Sequence, residues 1–334
     1  MKIGIFLIVF FFSTFASAQT YGNEWISYDQ KYFSFPVVEG GIHKIDYTTL
    51  VNAGVPLSSL NSSNFQIIGK ENQIPLFIED GGDEIMDTGD FILFYAEGND
   101  GWLDSTLYDN ADWIGNPKYS LYNDTLHYFF TWNSSVDNLR FIEETSIDFE
   151  NYIADEFVIE ERFNYYYGNY NEGEKSADAS SSFYMPGEGW GSGPKNGSSG
   201  YTWSVNSCNF AGIYQGPNVP LIEYESVIVG RSNATQTNPG SGNHHTLHTV
   251  GSSNYTLVDS VFTGYKSVFL NGSFNADVIS PNGNANFKVN IVGDLNVATD
   301  YQSINYWSFK YPRSLSFESE TFVDFVVLNS GSSK

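Results

Sequence analysis

From Tyr201 to Val327 the sequence is a series of short runs rich in Val, Ile, Phe, Tyr and Trp, separated by Gly, Asn, Ser and Pro. Phe287, Val289 and Ile291 place an apolar residue at every second position, and Trp307, Phe309 and Tyr311 repeat the pattern. Successive side chains of a strand point to opposite faces, so this spacing belongs to strands with one buried face. Strands are predicted at 201–205, 223–229, 245–250, 255–258, 267–270, 287–292, 303–311 and 321–327. Regularly spaced strands with turn signals between them predict a jelly-roll-like β-sandwich.

The preceding half is also read as β-rich. Strands are predicted at 24–28, 32–37, 41–45, 65–68, 74–78, 91–95 and 126–132, with one or two helical turns over 47–53. The fold class is therefore all-β, in two domains: a smaller N-terminal β-rich domain over 19–145 and a sandwich over 150–330, opening with a strand at 157–167. The Gly/Ser-rich stretch 186–200 is long for a connection inside a compact domain, which marks it as mobile or functional.

Residues 1–18 read as a secretory signal peptide. Lys2 supplies a positive n-region, Ile3 to Phe12 is apolar, and Ala16-Ser17-Ala18 is a cleavage site. No later run is long and apolar enough for a membrane span, so the mature chain is expected to be exported and soluble or peripheral. With 39 acidic and 15 basic residues the formal charge is −24. Repulsion from phosphate then excludes nucleic acid and anionic membrane as natural partners. Cys208 is the single cysteine, so no disulfide staples the chain and core burial must stabilise it.

Four features bear on chemistry. Four aspartates, Asp80, Asp83, Asp87 and Asp90, fall in the loop between two apolar runs. Carboxylates so close repel unless solvent or a cation relieves them, and hard oxygens suit calcium. The loop is thus either a calcium site or a solvated acidic turn. It is no EF-hand: counting from Asp80 or Asp83, position 6 is Ile85 or Thr88, where glycine is required. In the run Asn243-HHTLH, His244 and His248 share a strand face but stand ~13 Å apart at ~3.3 Å per residue. His245 points the other way, so the run cannot chelate one metal by itself. Cys208 precedes these histidines with no βαβ pattern around either, and reads as a buried thiol; no catalytic residue is assigned. The tyrosine run Phe163-NYYYGNY and the Trp190 loop supply ring faces that can cover sugar CH groups, which makes a carbohydrate the alternative ligand class.

Four segments resemble a known family. They are the stretch from Tyr21 (YGNEWISYDQKYFSFPVVEGGIHKIDYTTL), that from Ile74 (IPLFIEDGGDEIMDTGDFILFYAEGNDGWLDSTLYD), that from Tyr119 (YSLYNDTLHYFFTW), and a later set of PGEGWG, NHHTLH and INYWSFKYPRSL. Together they resemble the N-terminal, non-catalytic region of PorU-type sortases of the type IX secretion system, in the gingipain-type cysteine peptidase family of Bacteroidetes. That resemblance implies an outer-membrane location, periplasm-facing or at the cell surface, and type IX secretion components or cargo proteins as partners. It places a gingipain-like catalytic domain after the YPR-containing strand. The sequence ends at Lys334, so this chain is expected to correspond to the accessory β region, positioning cargo or docking to the machinery. The rival expectation is a free-standing secreted carbohydrate-binding or adhesin-like β protein.

Overall fold

The computed structural model describes residues 22–142, 145, 155–174, 182–205, 208–317 and 320–328. The leader expected over 1–18 and the domain boundary near residue 145 fall at or beyond the limits of these segments. Among the described residues no helix is long and apolar enough to cross a membrane. The chain divides into two compact units. The first takes the described residues up to Val37, then Ile42–Ala96 and the segment from His127; the second takes Val38–Gly41, Glu97–Leu126 and the described residues after 144. The aromatic loop 97–126, which lies inside the N-terminal span in sequence, is thus part of the second unit.

The first unit holds β1 (Phe33–Val37), β2 (Gly41–Asp46), β3 (Phe65–Gly69), β4 (Asn72–Ile74), β5 (Leu76–Glu79), β6 (Phe91–Ala96) and β7 (Leu126–Trp132), with one α-helix among the described residues, α1 (Tyr47–Asn52). Asp46 caps α1 by accepting from Thr49 N at 2.7 Å. The strands form two sheets, β1-β7-β3-β4 and β2-β6-β5. The single run predicted over 74–78 is split at Pro75, which has no N–H for a ladder, and the chain changes sheet there. Phe65, Ile67, Ile92, Phe94 and Phe130 are fully buried in this unit. The strand predicted at 24–28 does not form; those residues lie in turns.

The second unit is a two-sheet sandwich. Its strands are β8 (Phe157–Tyr165), β9 (Asn169–Asn171), β10 (Gly189–Gly191), β11 (Lys195–Asn196), β12 (Tyr201–Val205), β13 (Ile222–Gly230), β14 (His244–Val250), β15 (Tyr255–Phe262), β16 (Lys266–Phe274), β17 (Phe287–Ile291), β18 (Tyr301–Ser314) and β19 (Phe325–Val326). One sheet runs β16-β13-β18-β8-β19, with β11 also on β18; the other runs β12-β17-β14-β15; β9 and β10 make a small hairpin-like pair. From β12 to β18 the chain switches sheet at every connection except the β14–β15 hairpin. Tyr224, Ile228, Phe287, Val289, Trp307, Phe309 and Tyr311 meet between the two sheets.

The face predicted for Trp307, Phe309 and Tyr311 is indeed the buried one. Ile304, expected on the other face, joins the same core. The reason is a β-bulge: Ile228 pairs with Ile304 and Val227 with Tyr306, which leaves Asn305 as the extra residue and resets the alternation. Pro312 falls two residues beyond Lys310, where the pairing with β13 stops, so its missing N–H breaks no ladder there. At the same end Arg313 Nη1 meets Glu160 Oε2 at 2.5 Å, with both side chains buried. The strand predicted over 321–327 shrinks to two paired residues at the sheet edge, and Phe322, Val326 and Val327 are exposed rather than buried. The stretch 186–200 is structured in part, because β10 and β11 lie within it.

Candidate ligand-binding cleft

In β8 every second residue faces away from the sandwich core. Glu161, Phe163 and Tyr165 share this outer face, opposite Lys310, Ser308 and Tyr306 of β18. Phe163 and Tyr165 stack with ring centroids 6.1 Å apart, and Tyr165 meets Tyr167 at 5.9 Å. Tyr119, from the loop 97–126, completes the wall: it lies 5.3 Å from Tyr165 and stacks on Tyr167 at 5.0 Å. Trp190 meets Tyr119 edge-on at 6.4 Å and supports it without lining the cleft.

The loop that carries Tyr119 is fixed by side-chain amides. Asn305 Nδ2 donates to Gly115 O at 2.7 Å, and Asn116 Nδ2 donates to Asn305 O at 3.1 Å and Tyr166 O at 3.2 Å. Asn305 O also accepts from Tyr166 N at 2.9 Å, so this one carbonyl ties both the end of β8 and the loop to β18. Asn116 Oδ1 in turn accepts from Lys118 N, and Asp104 accepts from Leu121 N at 2.6 Å. Burial raises the Asp104 pKa, against the pull of the Leu121 N–H. The PGEGWG turn buttresses the wall. Glu188 accepts from Tyr170 OH at 2.8 Å and Met185 N at 2.8 Å, and Trp190 Nε1 donates to Leu121 O at 3.1 Å. Gly187 has φ +74°, and Gly115 approaches so close that a Cβ there would sit 2.4 Å from Glu188 O.

The result is an open cleft of about 460 Å³, within the usual range of ligand sites. Tyr119, Phe163 and Tyr165 form its aromatic wall. Among the described residues its charged members are Glu39, Glu97, Asp100, Asp124, Glu161 and Asp324, against a single Lys118. Tyr306 OH donates to Glu161 Oε1 at 3.1 Å, and Lys118 Nζ stands 5.9 Å from the Tyr306 ring centre. Burial, then Asp124 and the neighbouring Tyr165 and Tyr167, raise the Tyr119 pKa; burial does the same for Tyr306. Both phenols stay neutral, as donors or ring faces. Phe163 and Tyr165 could be found from alternation in the tyrosine run. Alternation pointed to none of Tyr119, Lys118 and Asp124, which the fold brings in from a remote loop.

The four aspartates lie elsewhere, in the first unit between β5 and β6. Asp80 accepts from Gly82 N at 3.0 Å and from Ser62 Oγ, Asp83 from Ile85 N at 2.9 Å, and Asp90 from Asp87 N at 2.7 Å. The bonds to Gly82, Ile85 and Asp87 N–H groups stabilise local turns, while Ser62 ties Asp80 to a distant segment. Among the described residues no three His, Cys, Asp or Glu side chains are grouped to hold a metal ion. Asp80 also borders a cavity of about 600 Å³ beside Arg140.

The histidines of β14 take separate partners. His244 is buried, with Nδ1 2.6 Å from Asp300 Oδ1 and Nε2 2.8 Å from Ser232 O, so both nitrogens face acceptors. His248 is buried between Tyr224 OH and Thr246 Oγ1, each at 2.8 Å. His245 points outward, between Asp294 and Asp259. Cys208 sits in the sandwich core, and burial pushes its thiol up to about 12, far from the range of a reactive thiolate.

The sequence matches no family model and no curated protein. Solved structures do align with it. Dimeric latent PorU from Porphyromonas gingivalis aligns over 85% of this chain and 24% of its own, with 11% identity and a TM-score of 0.46. BuGH86 in complex with neoagarooctaose covers 84% of this chain and 32% of its own, at 8% identity and a TM-score of 0.24. Arthrobacter globiformis T6 isomalto-dextranase complexed with panose covers 83% and 34%, at 8% identity and a TM-score of 0.19. The chain thus spans about a quarter to a third of the chains it aligns with.

Proposed function

We propose that this chain is a binding region: the accessory, non-catalytic β part of a PorU-type sortase of the type IX secretion system, which holds or docks a cargo protein at the outer membrane. The observation that carries the reading is the convergence of separate segments on one cleft. Tyr119 comes from YSLYNDTL and Tyr306 from INYWSFKYPRSL, both among the segments that carry the family resemblance, and Trp190 of PGEGWG supports Tyr119 from outside the lining. Tyr165 comes from the neighbouring tyrosine run. The chemistry of the cleft is that of recognition, with ring faces, phenol hydroxyls and carboxylates. Cys208, buried in the core, serves packing. The test is binding of a type IX sorting domain to the purified chain. Binding without cleavage, lost in Phe163→Ser/Tyr165→Ser, is expected; binding unaffected by that pair, or none, overturns the reading.

A second reading rests on the same wall. Exposed ring faces in an open cleft also cover the CH faces of sugars, as a free-standing carbohydrate-binding β protein would require. A neutral oligosaccharide that binds in place of the sorting domain, with the same dependence on Tyr165, is the outcome that favours it.

A further inference from the structure

Resting on the reading of the cleft as a docking site, we infer that its occupant is a peptide segment presenting a lysine or arginine side chain, whose stem lies on the aromatic wall and whose charge meets the acidic rim. Three observations lead there. The wall offers ring faces: Phe163 is 55% exposed, and Tyr165 and Tyr119 are half-buried. The electron-rich face of an aromatic ring attracts a cation, and a long basic side chain can lay its methylenes on rings while its head reaches outward.

The rim carries a strong charge imbalance. Glu97, Asp124, Glu161 and Asp324 are exposed around the opening; among the described lining residues Lys118 is the one cation, and Lys310 pairs across from Glu161 outside the lining. Lys118 is partly engaged, with its ammonium directed at the Tyr306 ring. A neutral sugar gains nothing from this field, and an anionic ligand would be repelled. A bare metal ion does not suit it either, since no three carboxylates close on one point among the described residues. A single extended charge on an apolar stem satisfies both the wall and the rim. The cleft is open to solvent, which admits a side chain still attached to a polypeptide.

The experiment is calorimetric titration of the full chain with a lysine-bearing Gly/Ser peptide and with the same peptide carrying glutamine at those positions. The lysine peptide is expected to bind roughly tenfold tighter at low salt, with the difference largely removed at about 1 M salt, where screening shortens to ~3 Å. Because the whole chain is acidic, local and global attraction must be separated. Asp124→Asn/Glu161→Gln should abolish the preference, and Glu161→Gln keeps an acceptor for Tyr306. Asp83→Asn/Asp87→Asn, which removes equal charge from the first unit, should preserve it. Equal binding of both peptides, still lost in Phe163→Ser/Tyr165→Ser, would overturn the cationic inference and leave the docking site standing. Preference lost equally in both charge-neutralised pairs would also overturn it. Absence of any binding that depends on Phe163 and Tyr165 would overturn the inference and the docking reading together.

Discussion

Asn305 Nδ2 donates to Gly115 O at 2.7 Å while Asn305 O accepts from Asn116 Nδ2 at 3.1 Å, so one bulged residue of β18 clasps the loop that carries Tyr119. Asn305 is fully buried. Asn305→Ala would leave Gly115 O without this donor inside the protein, at a cost of about 1–3 kcal/mol. Ligand affinity at the cleft should fall too, although Asn305 does not line it. Urea denaturation and peptide titration of the same variant check both. Unchanged affinity in a folded variant would mean that the loop is placed by other contacts.

Two histidines on β14 should respond to pH with opposite signs. Burial holds the His248 pKa down at about 3. Its neutral form is the folded one, so its contribution is present above the unfolded value near 6.5 and is lost as pH falls towards 3, by about 1.4 kcal/mol per unit. His248→Gln should flatten the acid limb of stability by one proton between those values. Identical slopes in the two proteins would contradict the buried neutral ring.

For His245, burial pushes the pKa down, but hydrogen bonds to Asp294 and Asp259 raise it overall. Its contribution is present below about 6.5 and is lost as pH rises through the folded value. Both carboxylates are more than half exposed, so the effect should be only ~0.2–1 kcal/mol. His245→Gln should therefore cost slightly at pH 6, and nothing at pH 9 or in strong salt. A cost that persists at pH 9 would point to packing instead.

How far the sequence reveals these features differs by element. Alternation located Trp307, Phe309 and Tyr311 in the core, because a strand's period is fixed by its geometry, and the tyrosine run from Phe163 stood out as a source of ring faces. It could not reveal the bulge at Asn305, since an inserted residue resets the alternation without a local signature. Pro75 was visible as a residue, but which sheet follows it depends on distant partners. The run 321–327 is apolar enough for a core strand yet lies exposed at an edge, because composition does not say whether a partner strand exists. The cleft was half legible: β8 announced its aromatic face, whereas Tyr119 and Asp124 reach it through tertiary contacts alone.

Trp307 is 6% exposed, against Phe287 at 5.4 Å and Phe309 at 5.7 Å. Trp307→Ala should cost about 3–5 kcal/mol, the usual penalty for emptying an aromatic core site. Phe325→Ser and Val326→Ser, at the exposed edge, should stay within about 0.5 kcal/mol. Chemical denaturation of the three variants checks the ranking, and a near-neutral Trp307→Ala would remove the assignment of that face to the core.

Asp80, Asp83 and Asp90 of the β5–β6 loop accept from turn N–H groups, and among the described residues binding calcium would require the carboxylates to regroup. Melting temperature should be the same in millimolar calcium and in chelator. A calcium-dependent rise abolished by Asp83→Asn/Asp87→Asn would instead establish a cation site there, since a ligand bound only by the native state stabilises it by mass action.

The most direct test of the account is hydrogen exchange of the full chain with and without a lysine-bearing peptide at saturating concentration. Added protection is expected in the segments around Tyr119–Asp124 and Glu161–Tyr165, and it should vanish with the glutamine peptide. Protection confined to other segments, or present equally with both peptides, would contradict the claim that this aromatic and acidic cleft is a docking site for a cationic side chain.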